Sequence, residues 1–210
     1  MGKNAALDNR VLLASSGFFH PSWLARQRLK RSLTMPGYVF QRIASLQVLP
    51  QLDTFSFQAI VLYFHHKTIS SSALACLDEF VRRGGGVLAI HSATASFKQE
   101  PRYFEILGGR FRVHGAIQMF EVSPTQSAED VFGSVAPFQI RDELYLHEFV
   151  PEITVHFETM HDGEPVPVVW TRRYGAGRVC YAMPGHTAES MKHPAVHHIL
   201  KRGLAWVCQS

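Results

Sequence analysis

The chain has 210 residues, 46% of them apolar and 18% charged, a balance that fits one sizeable buried core and excludes a disordered polymer. No run of about 18 apolar residues occurs, so no membrane-spanning helix is predicted. The formal charge of +4 is spread along the chain rather than clustered, which argues against a nucleic-acid footprint. The polar start, Met1 to Arg10, lacks the apolar segment of a signal peptide, and Ala6 breaks the myristoylation pattern that Met1-Gly2 would open. The expectation is a cytoplasmic protein that binds neither nucleic acid nor membrane. Residues 1–10 read as a tail and 11–210 as one domain.

Val11-Leu12-Leu13-Ala14 is a short apolar run ended by Ser15-Ser16-Gly17, the pattern of a buried first strand and its loop. Trp23 to Leu33 reads as a helix with a basic exposed face, stopped by Met35-Pro36-Gly37. Tyr38 to Ile43 suits an edge strand, and Ala59 to Phe64 is the next buried run. Ser70, Ser71 and Ser72 offer N-caps for a helix to Arg83, with Leu74, Leu77, Phe80 and Val81 at helical spacing. Gly84-Gly85-Gly86 ends it, and Val87 to Ile90 is another buried strand. Strand, helix, strand with short loops predicts a parallel pair joined by a right-handed crossover.

The second half changes character. Ile117 to Val122, Ile153 to Met160, Val166 to Thr171 and Arg178 to Met183 read as strands, with hairpin signals at Asp162-Gly163 and Gly175-Ala176-Gly177. A closing helix starts near Pro194 and runs through Ile199, Leu200, Leu204 and Trp206. The fold class is α/β, with a mixed sheet, parallel at its centre and antiparallel toward an edge.

Three cysteines, Cys76, Cys180 and Cys208, are odd in number and widely spaced, and Cys76 and Cys180 sit among apolar neighbours. Twelve histidines are the more unusual feature, since a neutral imidazole serves as a base or a metal ligand near pH 7. The most informative stretch is Ala89-Ile90-His91-Ser92-Ala93, because a residue presented on a sharp turn after a strand needs small neighbours two positions either side. The C-terminal end of a central parallel strand is also where open α/β sheets bind ligands. From spacing alone, a structural His91 that merely begins a loop is equally compatible. Asp142-Glu143-Leu144-Tyr145 supplies an acidic candidate, Glu143, as base, sugar-hydroxyl acceptor or ligand; Asp142 reads as a turn cap with Tyr145 packing beside it. Trp170 and Arg172 share a strand face, with Trp170 better suited to the core.

Gly84-Gly85-Gly86 leading to His91-Ser92-Ala93, Leu107-Gly108-Gly109-Arg110-Phe111 with His114, and Asp142 to Tyr145 recur in a recognisable order. Trp170-Thr171-Arg172, Tyr174 to Arg178, Gly185-His186, His193-Pro194 and Arg202 to Trp206 continue it. From about Val11 to Trp206 the chain resembles the trehalose-utilisation (ThuA-like) proteins. The resemblance implies a three-layer, flavodoxin-like fold of the class I glutamine amidotransferase-like type with a mixed, mainly parallel sheet.

In amidotransferases of that fold a cysteine occupies the elbow, and a histidine and a glutamate complete a triad. Here the elbow residue is His91, so glutamine hydrolysis through a thioester is not expected. His186 is similar in place to the amidotransferase histidine, but Glu189 follows three positions on rather than two. The resemblance implies a ligand that is a carbohydrate or an oxidised derivative. His91, His186 and Glu143 are its catalytic candidates, and His20, Ser92, His114, Tyr145 and Arg172 its candidates for binding. His91 is expected on a tight turn that presents its ring upward rather than into the core, with little buried area. A divalent metal could draw on His20, His91, His186 and Glu143, and a homo-oligomer is compatible. The alternatives are a non-catalytic carbohydrate- or partner-binding module and, less favoured, an amidohydrolase with a shifted catalytic group.

Overall fold

A computed structural model describes residues 9–16 and 22–209. Its sheet has a parallel half built from β1 (Asn9–Ser15), β2 (Tyr38–Ile43), β3 (Ala59–Tyr63), β4 (Gly86–Ile90) and β11 (Gly177–Ala182), in the order β2-β1-β3-β4-β11. Every residue of β3 and β4 is buried, which explains why both read as unbroken apolar runs rather than alternating ones. Each fully buried Val, Leu or Ile there contributes about 1.5–3 kcal/mol by leaving water.

Helices cover both faces. On one, α5 (Pro194–Val207) lies across β3, β4 and β11 and carries α1 (Trp23–Leu33) and α4 (Ala128–Phe132). On the other, α2 (Ser71–Arg82) and α3 (Pro101–Leu107) pack together and against β11. The β3-α2-β4 unit is parallel, as its sequence predicts, and the Ser70 hydroxyl caps α2 by accepting from the Ala73 amide. Ser22 does the same for α1 through the Ala25 amide.

The sheet continues beyond β11 as an antiparallel half: β10 (Glu164–Tyr174), β9 (Thr154–His161), β6 (Gln118–Pro124) and β7 (Phe138–Asp142). The β9–β10 hairpin turns through Asp162 and Gly163, both at positive φ (51° and 83°), the backbone that matches the twist of the flanking strands. A separate two-stranded ribbon, β5 (Gly109–His114) with β8 (Tyr145–Phe149), holds several site residues. Gly109 lets the ribbon start close to the core, because a Cβ there would lie 2.4 Å from the Trp170 indole. Trp170 is fully buried and donates its indole N–H to the Leu107 carbonyl (3.0 Å), so it is a core residue.

Candidate functional site

His91 follows β4 directly, where the parallel strands end. Its φ of +47° lies in the left-handed region, which costs a residue with a Cβ about 1–2 kcal/mol. The surroundings hold it there. The His91 carbonyl accepts from the Tyr181 hydroxyl (3.1 Å) and the Thr94 hydroxyl (3.2 Å), and Ala89 and Ala93 are small and fully buried on either side. So the sharp turn read from Ala89-x-His91-x-Ala93 is present. The expectation of an upward-presented ring with little buried area needs correction, because His91 is only 1% exposed. Tyr145 lies over the ring, at 4.3 Å between centroids.

The orientation of that ring fixes its chemistry. His91 Nδ1 lies 2.9 Å from the Met183 carbonyl oxygen, which can only accept, so Nδ1 carries the hydrogen. In the neutral ring Nε2 is therefore a lone pair, and it faces Glu143 Oε2 at 3.5 Å. His186 Nδ1 approaches the same carboxylate oxygen at 3.0 Å. His91, Glu143 and His186, the three catalytic candidates, thus meet in one cluster.

Asp142 holds the cluster together. This fully buried carboxylate accepts from the backbone N–H groups of Glu143 (2.8 Å), Gly185 (2.7 Å) and His186 (3.2 Å). It therefore ties the segment after β7 to the segment after β11. The Tyr145 amide donates to Met183 Sδ (3.0 Å), bracing the same two segments, and the Tyr63 hydroxyl at the end of β3 donates to the Gly185 carbonyl (2.5 Å).

The cluster adjoins a cleft of about 280 Å³ lined by His65, Ser92, Ala95, Lys98, Phe111, His114 and Tyr145. His114 Nδ1 is 3.7 Å from Glu143 Oε1, and its ring lies nearly parallel to that of Tyr145. Phe111 packs against both Tyr145 (4.5 Å) and His114 (5.7 Å), and Lys98 Nζ sits 4.6 Å from the Phe111 ring. Ser92 borders the cleft, but its hydroxyl donates to the Phe64 carbonyl (3.0 Å), so it braces the turn. A groove of about 320 Å³ between β6 and β9 contains Glu121, Glu158 and His161, but none of the buried cluster.

Arg172 is placed elsewhere. Its guanidinium donates to the Glu105 carbonyl at the end of α3 (2.6 Å) and faces Glu152 at 3.9 Å. Glu189 is an exposed surface residue paired with Lys192, so no triad partner for His186 comes from there. His20 lies outside the described residues.

Burial pushes the Glu143 carboxyl up, but the contact with His91 and the charges of His186, His91 and His114 outweigh it and hold the group below its ordinary value. Burial raises the Tyr145 phenol, reinforced by Tyr181 and Glu143, so Tyr145 is a neutral hydroxyl. One ligand atom each from His91, Glu143 and His186 lie within 4.8 Å of one another, a set able to hold a metal ion. Sequence reasoning did not find Lys98, Phe111 or the clamping role of Asp142. Phe111 stood in the Leu107 to Phe111 signpost without a role of its own, and Lys98 stands on a surface segment with no motif.

A family model described as trehalose utilisation (ThuA) matches residues 10–207, nearly the whole chain. The chain belongs to the ThuA family. Among solved structures, this ThuA chain is similar to a putative ThuA-like protein from Parabacteroides merdae, at 19% identity and TM-score 0.84, covering 96% of this chain and 90% of that one. A second ThuA-like protein, from Bacteroides uniformis, gives 16% identity and TM-score 0.80, covering 99% and 94%. A β-galactosidase from Bacillus circulans contains a similar fold as a minor part: the match covers 96% of the ThuA chain but 30% of the enzyme, at 13% identity and TM-score 0.66. At such identities these likenesses establish the fold alone. No curated protein matches the sequence.

Proposed function

We propose that the protein binds and transforms a sugar or an oxidised sugar derivative at the His91–Glu143–His186 cluster. The observation that carries this is one buried carboxylate held between two imidazoles beside an aromatic-walled cleft. Glu143 takes a proton from a sugar hydroxyl or carbon, and His186 or His114 returns one to the leaving or carbonyl oxygen. Phe111 offers its ring to the apolar side of a pyranose, and Lys98 and His114 offer donors to its oxygens or to an acidic group. The name of the family points to the same class of ligand. The reaction takes place in the cytoplasm, where a Salmonella typhimurium neighbour with TM-score 0.69 is described as residing.

The test is calorimetric titration with trehalose, glucose and their keto and acid derivatives, followed by product analysis. Millimolar or tighter binding, lost in Glu143→Gln and His114→Ala, is expected. Binding without turnover would favour the non-catalytic carbohydrate module. No binding across the panel, or binding indifferent to both substitutions, would overturn the assignment.

A further inference from the structure

With the His91 hydrogen on Nδ1 and the ring uncharged, the contact with Glu143 sets two acceptors against each other. Met183 fixes the His91 hydrogen on Nδ1, so a lone pair on Nε2 meets carboxylate oxygen at 3.5 Å, and both atoms are buried with no hydrogen-bond partner. Unsatisfied buried polar atoms are costly, so a positive species belongs between them. A proton bridges two atoms. Here His186 Nδ1 converges on the same carboxylate oxygen at 3.0 Å, which makes three donor atoms on one point.

We infer that His91 Nε2, the Glu143 carboxylate and His186 Nδ1 form a site for one divalent transition metal of the zinc class. The inference rests on the reading above in placing the functional site at this cluster; with an ion bound, Glu143 and His186 hold it and proton transfer passes to His114 at the cleft edge. Two imidazoles and one carboxylate are the ligand types that zinc and its neighbours take, with bonds of about 2.0–2.2 Å. The three atoms already lie within 4.8 Å of one another, so closing onto an ion moves each by less than about an ångström. The hydrogen bond from His91 Nδ1 to the Met183 carbonyl is the support metal-bound histidines ordinarily have, fixing the tautomer and leaving the other nitrogen to the ion. Asp142 fixes both other ligands by their backbone amides, so the set is organised in advance. The adjoining cleft, with His114 and Tyr145 at its edge, leaves an open side where a sugar oxygen or water completes the coordination.

The experiment is titration of the chelator-treated full chain with zinc alone, read by calorimetry and by metal analysis after desalting, with the visible spectrum of the cobalt form as a second readout. One equivalent is expected, with affinity reduced about 100-fold or more in His91→Asn and in His186→Ala. His161→Ala, a histidine away from the cluster, should leave it unchanged. Zinc uptake that survives both cluster substitutions, or no stoichiometric uptake at millimolar zinc, overturns the inference. A ring-nitrogen NMR spectrum showing His91 protonated on both nitrogens and unmoved by zinc does the same. Where His91→Asn folds poorly, His186→Ala and the cobalt spectrum still decide. No sugar is present, so failure here leaves the carbohydrate reading standing, and failure of every sugar to bind leaves the metal site standing.

Discussion

Replacing Asp142 by Asn tests whether the carboxylate, rather than the packing around it, joins the two site segments. Its Oδ1 accepts from Glu143 and His186 and its Oδ2 from Gly185, with a longer second contact to His186. An amide can keep only one of these oxygens. The better orientation keeps the pair on Oδ1 and turns an NH2 toward the Gly185 N–H, donor against donor. The loss is one charge-assisted hydrogen bond, worth about 1.5–3 kcal/mol, and the burial of two unsatisfied donors, so a loss of about 3.5 kcal/mol or more is expected. For a chain of this length, about 2–4 °C per kcal/mol places the fall in melting temperature at about 7 °C or more. Urea unfolding followed by tryptophan fluorescence measures the first quantity and calorimetry the second. Asp142→Asn within about 0.5 kcal/mol of the parent would show that the amides find other partners and that the clamp is not structural.

Other perturbations follow from the same geometry. Because His91 sits at φ +47°, His91→Asn should be more stable than His91→Ala by about 0.5–1 kcal/mol, measured by chemical unfolding; equal stabilities would contradict backbone strain at the elbow. Burial pushes the His147 imidazole down to about 3, against about 6.5 unfolded, so the unfolded chain binds the extra proton between those values. Its stabilising contribution is full above about pH 6.5 and is lost as pH falls toward 3, at no more than about 1.4 kcal/mol per pH unit. His147→Gln should flatten that acid limb in unfolding curves taken between pH 7 and 4, and an unchanged slope would refute it. Burial also pushes the Cys180 thiol up to about 12, so Cys180 should resist a thiol reagent at pH 8 until the chain is unfolded, as mass spectrometry would show.

The parts of the fold that were legible are those whose neighbours are close in sequence or whose burial is complete. Trp23–Leu33 and Tyr38–Ile43 match their predicted bounds, and β3, β4, α2 and α5 differ by a residue or two. Between Pro101 and Phe149 only the Ile117 to Val122 strand, which forms most of β6, was read as an element. Pro101 at the first turn of α3 and Gly108 in a left-handed conformation at its end were usable signals. The β5–β8 ribbon gave less, because Arg110, Arg112, His114, His147 and Glu148 put polar groups along strands that lie over the surface, without clean alternation. In the site, His91, Glu143 and His186 were legible by type and place. The enclosure of His91 was not, because the ring is covered by Tyr145 and turned by Met183, distant in the chain. Arg172 shared a strand with Trp170, yet its length carries the guanidinium to the end of α3.

The joins that make the cluster have a thermodynamic consequence. The Asp142–His186 bond closes a span of 44 residues, and the His91–Met183 bond one of 92. An unfolded chain brings such distant groups together rarely, since the entropic cost of closure rises with span. Any small molecule or ion that uses the whole cluster therefore recognises only the folded chain and shifts unfolding by mass action, by about 2.7 kcal/mol at a hundred times its dissociation constant. With the Tm response expected for this length, that is a rise of about 5–11 °C. A plate of candidate ligands read by melting temperature thus reports occupancy of this cluster without an assay for the reaction, and His186→Ala separates that signal from binding elsewhere.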